Sequence, residues 1–379
     1  MRVAFVSDAV HPFNEGGKER RLWEISRWLA RAGYHVDVYT MNWWRGPKTI
    51  EVDGVSFHAV CKFHPLYRGT HRSTLQAILF GVATLKLARE RFDALDVDHI
   101  PYFPLLSARL VCLIRHKRLT ATWHEVWGRE YWVRYAGPAG HVGYLIERVT
   151  ALMPDQIIAN SEQTAERLRD MMRYAKPISV LPSGLDFEAI DAEAPSDTGV
   201  DVLYAGRLLD HKGVDILLRA VSVVSQYRPQ VDCLVIGEGP ERTNLERLSV
   251  ELGIAANVRF CDFLPGNEIY GVMKSAGVFV LPSAREGYGL VVIEANACGL
   301  PVVTVRHQDN AATRLVQEGV NGFLAERNAS DVARAILLTL LRRSTLDPRS
   351  TVDRARESLA WDNVASRVGR VLLCGSAEG

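Results

Sequence analysis

The feature that most constrains the fold is an alternation of two patterns along the chain. Short runs of β-branched and other apolar residues, such as residues 3–6 and 36–40, alternate with segments in which apolar residues recur at helical spacing. The first such segment covers residues 22–32, and Gly33 stands where a helix would end. Strands that alternate with helices form parallel sheets covered by helices on both faces. The chain is therefore predicted to be an α/β protein.

The alternation occurs in two blocks, separated by a connector rich in Pro, Ser, Asp and Thr after Gly184. The first block has further strand candidates at residues 119–123 and 156–159, and Ser161 is placed to cap a following helix. The second block has strand candidates at residues 202–205, 231–236, 258–260, 278–281 and 301–305, with helices near 214–226, 241–252 and 289–298. We therefore expect a Rossmann-like N-terminal domain (1–185), a linker (186–198), a Rossmann-like C-terminal domain (199–360) and a final helix (361–379) that packs back toward the N-terminal domain.

Composition excludes several classes of protein. Lys and Arg number 45 against 44 Asp and Glu, so the net charge gives no reason to expect a nucleic-acid binder. The six cysteines include no CxxC pair, which favours free thiols in a reducing compartment. The longest apolar stretch, residues 77–85, is far shorter than the roughly 20 residues of a membrane span, and the first residues lack a signal-peptide pattern. The sequence predicts a cytoplasmic protein, at most peripheral at the inner face of a membrane.

Candidate ligand-binding residues follow the predicted strands, because ligands of open α/β sheets bind at the carboxyl ends of strands. After the strand at 278–281 the chain reads PSAREGYGLVVIE and enters a helix. Gly287 and Gly289 would let a phosphate approach the backbone amides at the helix start. Glu286 and Glu294 would accept hydrogen bonds from sugar hydroxyls on either side of that phosphate. The alternative is a surface turn followed by a solvated glutamate.

A second candidate, GRLLDHKG, follows the strand at 202–205. Arg207 can bind a diphosphate through two hydrogen bonds, and Lys212 adds a compact charge, although a solvated pair of cations is the alternative. The GEGP at 237–240 lacks the third glycine of a dinucleotide fingerprint, so it predicts a tight strand–helix turn.

The first block carries its own candidates. His124, in TWHEVW after the strand at 119–123, is either structural or a substrate clamp, and Glu125 is better explained as an acid at a helix start. Gly16 and Gly17 precede a helix and either bring amides to a phosphate or form a simple loop.

In combination these motifs resemble family 4 of the retaining glycosyltransferases (glycosyl transferases group 1), which have the GT-B fold. Glu286 and Glu294 match the E-x7-E signature of that family, Gly16-Gly17 its first glycine loop, and Arg207 with Lys212 its donor-phosphate cations. The motifs span most of the chain in the family's order. Asp262, where a glycine is usual, and the segment 306–312 depart from the family pattern.

The resemblance implies two Rossmann-like domains with parallel sheets facing a central cleft. The enzyme would move a hexose-type sugar from a nucleoside-diphosphate sugar to a hydroxyl acceptor, with retention of anomeric configuration. Arg207 and Lys212 would bind the phosphates, Glu294 the ribose, and Glu286 the sugar, while His124 would orient the sugar. The implied catalytic residues are His124, Glu286, Arg207 and Lys212. The implied donor-binding residues are Gly16, Gly17, Arg207, Lys212, Leu264, Glu286, Gly287, Tyr288, Gly289, Leu290, Val291 and Glu294.

The acceptor, a glycan, a lipid-linked molecule or a small glycoside, is expected on the N-terminal domain. Trp43-Trp44-Arg45, the basic run 115–118 and the aromatic run 127–132 are candidate acceptor contacts, and ordinary surface and core residues are the alternative. A sugar-nucleotide epimerase, a phosphorylase and a non-enzymatic sugar-nucleotide binder remain alternatives for the whole chain.

One motif points toward a metal. Asp96-Val97-Asp98 matches the D-x-D triplet with which another glycosyltransferase fold binds a divalent cation. It falls in the opposite domain from Arg207 and Lys212, at the end of a predicted strand. We therefore expect no metal and no other cofactor, and interpret the triplet as two acids at a polar strand end.

Overall fold

The computed structural model describes residues 1–14, 16–68, 71–197, 199–264 and 266–374, and it divides into two compact units. Unit 1 consists of Met1–Gly184 with the C-terminal segment from Trp361, and unit 2 of Leu185–Ala360. The predicted linker 186–198 differs from expectation, because its first part forms a helix whose start is capped by Asp186 and which belongs to unit 2. Residue 198 of that linker and residues 375–379 of the predicted final helix lie outside the described residues.

Unit 1 is built on an eight-stranded sheet with the order β10-β9-β8-β7-β1-β2-β4-β3, parallel except for the β3–β4 hairpin. Two further short strands, β5 and β6, pair with each other. The strands of unit 1 are β1 (Arg2–Val6), β2 (His35–Asn42), β3 (Thr49–Val52), β4 (Val55–Lys62), β5 (Tyr67–Arg68), β6 (His71–Arg72), β7 (Ala94–Asp98), β8 (Leu119–Trp123), β9 (Gln156–Ala159) and β10 (Ile178–Val180).

Helices cover both faces of this sheet. They are α1 (Gly17–Arg31), α2 (Thr74–Ala83), α3 (Phe103–Arg115), α4 (Gly128–Ala136), α5 (Gly140–Ala151), α6 (Glu162–Asp170) and, from the end of the chain, α15 (Trp361–Cys374), with 3-10 turns at Thr84–Arg89 and Gly137–Ala139. Ser161 caps α6 as expected, since its hydroxyl accepts a hydrogen bond from the Thr164 amide at 3.1 Å. Helix α15 packs on α1, with Val364 and Val368 in the same apolar cluster as Phe5 and Leu29.

Unit 2 has a six-stranded parallel sheet with the order β13-β12-β11-β14-β16-β18. Its strands are β11 (Val202–Ala205), β12 (Cys233–Ile236), β13 (Val258–Cys261), β14 (Val278–Leu281), β15 (Arg285–Glu286), β16 (Val302–Val305), β17 (Asp309–Asn310) and β18 (Gly322–Ala325), of which β15 and β17 form a separate pair. Its helices are α7 (Phe187–Ala192), α8 (Val214–Tyr227), α9 (Arg242–Glu251), α10 (Glu268–Ser275), α11 (Leu290–Ala297), α12 (Ala329–Leu341), α13 (Pro348–Asp353) and α14 (Arg356–Leu359), with 3-10 turns at Asp210–Lys212, Ala311–Leu315 and Arg343–Thr345.

The central strands of unit 2 are buried on both sides, which is why they appear in the sequence as continuous apolar runs. Val202, Leu203 and Tyr204 on β11 are fully buried, as are Val278 and Phe279 on β14. The predicted α/β class with two Rossmann-like units is confirmed. None of the described helices combines the length and the apolar character needed to cross a membrane.

Candidate active site

In unit 2 the sheet order reverses direction between β11 and β14. After β11 the chain continues to β12 and β13 on one side, then returns to place β14 on the other side of β11. The loops that follow these two strands therefore separate at the sheet edge and leave a crevice, which is the usual ligand position in open α/β sheets. The two strongest sequence motifs, GRLLDHKG and PSAREGYG, are the loops at this point.

The two loops are tied together by side chains and backbone. The Lys212 ammonium lies 2.7 Å from Glu286 Oε1, and both side chains are mostly buried, at 18% and 12% exposed. The Ala284 amide donates a hydrogen bond to the His211 carbonyl at 2.8 Å. Gly213 has φ +68, and its α-carbon approaches the Pro282 carbonyl so closely that a side chain would clash with it. Residues far apart in sequence thus form one site.

The pKa of His211 shows that this site is positively charged. Burial, and then the positive charges of Arg285, Lys212, Arg207 and Arg327, lower the pKa of His211 from 6.5 to about 2. The imidazole is therefore neutral at physiological pH, and the four surrounding cations supply the charge. We call Arg207, Lys212, Arg285 and Arg327 the cation cluster. Lys212 of this cluster is paired with Glu286, and a group of cations of this kind suits an anion with more than one phosphate.

The loop that carries Arg207 is held from behind by the turn at 237–240. The Leu208 amide donates to the Glu238 carbonyl at 2.7 Å, and the Glu241 amide donates to the Leu208 carbonyl at 3.2 Å. Gly237 lies directly against the Gly206 carbonyl. The Tyr204 hydroxyl, fully buried, donates to the Arg207 carbonyl at 3.1 Å. The GEGP segment is a tight turn between β12 and α9, as the sequence predicted.

Glu294 lies on α11, about one turn beyond the start of the helix. Gly289, the N-cap of the helix, has φ +95, and a β-carbon there would lie 2.6 Å from that of Ala312. Glu294 Oε1 accepts a hydrogen bond from the Tyr270 hydroxyl at 3.4 Å. Near the helix start, Tyr288 is half-buried, and burial raises the pKa of its hydroxyl.

The remaining predicted donor residues of unit 2 lie nearby in the fold. Gly287, Leu290 and Val291 lie at or just before the first turn of α11, and Leu264 follows β13 half-buried against the core. The divergent segment 306–312 is adjacent to Glu286, because Glu286 on β15 pairs with Asn310 on β17. The side-chain amide of the buried Asn310 donates to Thr304 Oγ1 and the Val305 carbonyl, which anchors this segment to β16 beside Glu286.

Unit 1 also gathers charged residues at the carboxyl ends of neighbouring strands. Asp8 follows β1, Asp98 ends β7 and His124 follows β8. The Lys18 ammonium on α1 lies 3.0 Å from Asp8 Oδ1 and 3.4 Å from Asp98 Oδ2. Arg72 donates to Asp8 Oδ2 at 2.9 Å. Two buried carboxylates are therefore balanced by two cations.

His124 is oriented by this network. Its Nε2 lies 3.0 Å from Asp98 Oδ1. Burial opposes the charge of Asp98, but Lys18 and the hydrogen bond from His124 outweigh it and lower the pKa of Asp98 below 3.8. Asp98 is thus ionised and accepts, which requires a proton on His124 Nε2. The His124 amide in turn donates to Nδ1 of His99, whose ring stacks on Trp123 with 4.7 Å between the ring centres.

The Asp96-Val97-Asp98 triplet differs from the expectation of acids at a polar strand end. Both carboxyl groups are buried, and they have different partners. Asp96 Oδ2 accepts from the Thr122 hydroxyl at 2.6 Å, and burial raises the pKa of Asp96 to about 7. In the part of the chain that the structure describes, no group of three or more His, Cys, Asp or Glu side chains is arranged to hold a metal ion.

The first glycine loop leads into α1 as predicted, but an acid accompanies it. Gly16 precedes the helix and Gly17 begins it. The carboxylate of Glu19, in the first turn, lies directly against Gly16 and accepts a hydrogen bond from the side-chain amide of Asn14 at 3.2 Å. Glu19 therefore shares the positive end of α1 with any phosphate that the loop would bind.

Sequence reasoning missed several residues of both sites. In unit 2 these are His211 and Arg285, which lie inside the two motifs, and Arg327, which follows β18. In unit 1 the missed residues were Asp8, Lys18 and Arg72. Asp8 had a usable signal, since it directly follows the first predicted strand, whereas Arg72 and Arg327 lie far from any motif.

Comparison with known proteins agrees with this architecture. Residues 15–189 match the model of Glycosyltransferase Family 4, and residues 186–357 match that of Glycosyl transferases group 1. The D-inositol 3-phosphate glycosyltransferase of Corynebacterium diphtheriae is 28% identical over 347 residues, covering 81% of this chain and 79% of that protein.

Two solved structures show the same fold. Sucrose-phosphate synthase from Thermosynechococcus elongatus superposes with a TM-score of 0.80 at 22% identity, covering 99% of this chain and 100% of that one. Anabaena HepE in complex with UDP-glucose superposes with a TM-score of 0.76 at 18% identity, covering 98% and 99%. With both family models matched in order and the strand-end motifs in place, the chain belongs to the family 4 glycosyltransferases of the GT-B fold and is a nucleotide-sugar-dependent glycosyltransferase.

Proposed function

We propose that this enzyme transfers a hexose with retention of configuration and without a metal, and that the cation cluster of unit 2 binds the diphosphate of its donor. The observation that carries the proposal is the set of cations around the neutral His211, beside the Lys212–Glu286 pair. A nucleoside diphosphate gains negative charge as it leaves the sugar. Preorganised cations at that position stabilise the transition state more than the ground state, which is what accelerates transfer.

The individual side chains divide this work. Arg207 presents a planar fork to two phosphate oxygens, and Lys212 provides a point charge. A diphosphate bound here competes with Glu286 for Lys212, which makes the Glu286 carboxylate available to a sugar hydroxyl. Glu294, hydrogen-bonded to Tyr270, accepts from the ribose. Amides at the start of α11 complete the phosphate contacts.

The transfer step that we propose uses these side chains. The bond between the anomeric carbon and the diphosphate oxygen breaks, and the acceptor oxygen bonds to the same face of the sugar. The acceptor proton passes to the departing phosphate oxygen, so that no enzyme nucleophile is required. We assign the acceptor to unit 1, and His124 to orientation of the sugar, with its ring fixed by Asp98.

A screen of nucleotide sugars tests the proposal. UDP-, GDP- and ADP-hexoses are compared by thermal shift, because a bound donor raises the melting temperature by mass action. UDP-glucose, the ligand of HepE, is tried first. The preferred donor is then incubated with candidate acceptors, and NMR of the product should show the anomeric configuration of the donor. An inverted product contradicts retention. Conversion of the donor alone to an epimer, or a requirement for inorganic phosphate, contradicts glycosyl transfer to a hydroxyl.

The two glutamates should separate nucleotide binding from transfer. Glu294→Gln should weaken binding of the bare nucleoside diphosphate roughly tenfold, since a hydrogen bond to a charged group is lost. Glu286→Gln should leave that affinity unchanged or higher, because a carboxylate is removed from beside the phosphates, and should slow transfer. Isothermal titration calorimetry measures the first effect, with Glu251→Gln on the exposed face of α9 as the control. Equal loss of affinity in both variants would contradict these assignments.

Transfer should persist in excess EDTA. The cation cluster and the start of α11 already balance the donor charge, and the acids of the D-x-D triplet are buried and occupied by Thr122, Lys18 and His124. Initial rates with EDTA and with added Mn²⁺ are compared at a saturating donor concentration. If EDTA abolishes activity and Mn²⁺ restores it, the proposed donor site is wrong.

A further inference from the structure

The exposed apolar side chains of the described residues are concentrated on one part of unit 1. Twenty large apolar side chains are exposed, and thirteen of them lie on α2, the 3-10 turn after it, α3 and α5 with the residue that follows it. We call these thirteen side chains the apolar face. They are Leu75, Ile78, Leu79, Val82, Leu85, Leu106, Leu110, Leu113, Ile114, Val142, Leu145, Val149 and Leu152.

The three helices are neighbours on one side of the sheet. Helices α2 and α3 cross so closely at Gly81 that a β-carbon there would lie 2.6 Å from that of Phe103. Helix α3 also contacts the 3-10 turn and α5. The inner sides of these segments supply core residues such as Phe80 and Leu105. The apolar face is therefore formed by the outer sides of adjacent helices.

On helix α3 the exposed apolar residues follow the helical repeat. Leu106, Leu110 and Leu113 recur at helical spacing and are 40–56% exposed. A helix with apolar residues on both sides is normally covered on both sides. Helix α8 of unit 2 shows the ordinary pattern, with Asp215 and Arg219 exposed. An exposed apolar face spread over three helices marks an interaction surface.

The segments that form this face are strongly basic. Residues 74–89, 103–118 and 140–152, all of which the structure describes, contain seven Lys or Arg and one acid. The acid, Glu147, is buried and accepts hydrogen bonds from the amides of Trp127 and Gly128. The cations are Lys86, Arg89, Arg109, Arg115, Lys117, Arg118 and Arg148.

Several of these cations meet at the C-terminal end of α3. An open pocket of about 530 Å³ there is lined by Leu113 of the apolar face and by Arg109, His116, Lys117 and Arg118. Arg109 forms an ion pair with Asp155, which also lines the pocket, and Lys117 forms one with Asp93. Arg118 and His116 are exposed. Apolar and basic side chains are thus continuous along one surface.

We propose that the apolar face docks on the surface of an anionic lipid bilayer, with its apolar side chains at the level of the upper acyl chains and its cations against lipid phosphates. This combination of an apolar row and flanking Lys and Arg is what binds helices in the plane of a membrane interface. A second copy of the same face is a poorer partner, because the segments that form it repeat the same seven cations and their one acid, Glu147, is buried. The proposal goes beyond the transfer reaction and does not depend on it.

Vesicle flotation with the full chain tests the docking. The vesicles are phosphatidylcholine alone, or an equimolar mixture of phosphatidylcholine and phosphatidylglycerol. The wild-type protein should float with the mixed vesicles and much less with the neutral ones. A Leu110→Glu, Leu113→Glu double variant should bind at least tenfold more weakly, and an Arg118→Gln, Arg148→Gln double variant should lose roughly fivefold per cation. Val250→Glu with Leu341→Glu, two exposed apolar residues of unit 2, is the matched control and should float like the wild type.

The outcomes are distinguishable. Circular dichroism and donor-induced thermal shift show whether each variant is folded and binds nucleotide, independently of vesicles. Wild-type protein that stays with the soluble fraction in both lipid mixtures overturns the proposal. Equal loss of flotation in the unit 2 control also overturns it. Size-exclusion chromatography tests the alternative that a second copy of the chain covers the apolar face. If the wild type is a dimer that does not bind vesicles, and the Leu110→Glu, Leu113→Glu variant is a monomer, the face serves self-association and the proposal is wrong.

Discussion

Replacing Lys212 with alanine will lower kcat by about 10²-fold or more, comparable to removal of one preorganised donor from a site of developing charge. Two effects act together in this variant. The leaving diphosphate loses a cation, and Glu286 loses the ammonium group 2.7 Å away, so that its charge opposes the phosphates. Arg207→Ala should have an effect of similar size, because that residue provides the other cation of GRLLDHKG.

Controls separate catalysis from general charge. Arg219→Ala removes an exposed cation on α8 of the same unit and should leave kcat unchanged. Lys212→Arg keeps the charge but changes its geometry, and should fall between wild type and alanine. Steady-state kinetics with the donor identified by thermal shift give the values. Turnover near the wild-type rate in both Lys212→Ala and Arg207→Ala would contradict the assignment of the donor phosphates to this site.

Lys18→Met should destabilise the protein by about 3 kcal/mol, the lower end of what removal of one partner from a buried ion pair costs. Lys18 lies between Asp8, which is fully buried, and Asp98, which is 8% exposed. Without it, Asp8 keeps Arg72 and the side-chain amide of Gln76, and Asp98 keeps His124, but no cation lies between the two carboxylates. Urea denaturation measures the change, and Lys62→Met, which removes an exposed lysine at the end of β4, should stay within about 0.5 kcal/mol of wild type.

The effect of Lys18→Met should depend on pH in a defined direction. In the folded wild type, the pKa of Asp98 is lowered below 3.8, so its contribution to stability is present above pH 3.8 and is lost as the pH falls through its folded pKa. The difference between the two proteins should therefore shrink in acid. Equal stability of Lys18→Met and Lys62→Met at neutral pH would show that the ion pairs of Lys18 with Asp8 and Asp98 contribute nothing to the free energy of unfolding.

The fold was predictable because its signals are local. Continuous β-branched runs and helical spacing give the element type, and their order gives the parallel sheets. Two local signals were overlooked. Asp53-Gly54 between β3 and β4 is a typical hairpin turn, with both residues at positive φ. Asp186 three residues before Ala189 is a helix N-cap, and it begins α7 within the predicted linker.

The site was predictable where it depends on strand ends. Arg207, Lys212 and Glu286 follow central strands, and the parallel sheet brings such residues to one edge. Arg327 could not be found in this way, because its proximity to His211 depends on how β18 is placed at the edge of the sheet. Asp96 and Asp98 were misjudged as a polar strand end. A strand in the middle of a sheet is buried, so its acids need partners. The partners are Thr122 for Asp96, and Lys18 and His124 for Asp98, and they come from separate segments of the chain.

The central claim is that the cation cluster of unit 2 binds the diphosphate of the donor. It is tested most directly by calorimetric titration of UDP, GDP and ADP, with EDTA present, into wild-type protein, Arg207→Ala and Lys212→Ala. We predict that one of the nucleotides binds the wild type, that each variant binds it at least tenfold more weakly, and that affinity falls as salt is added. Unchanged affinity in both variants would contradict the claim.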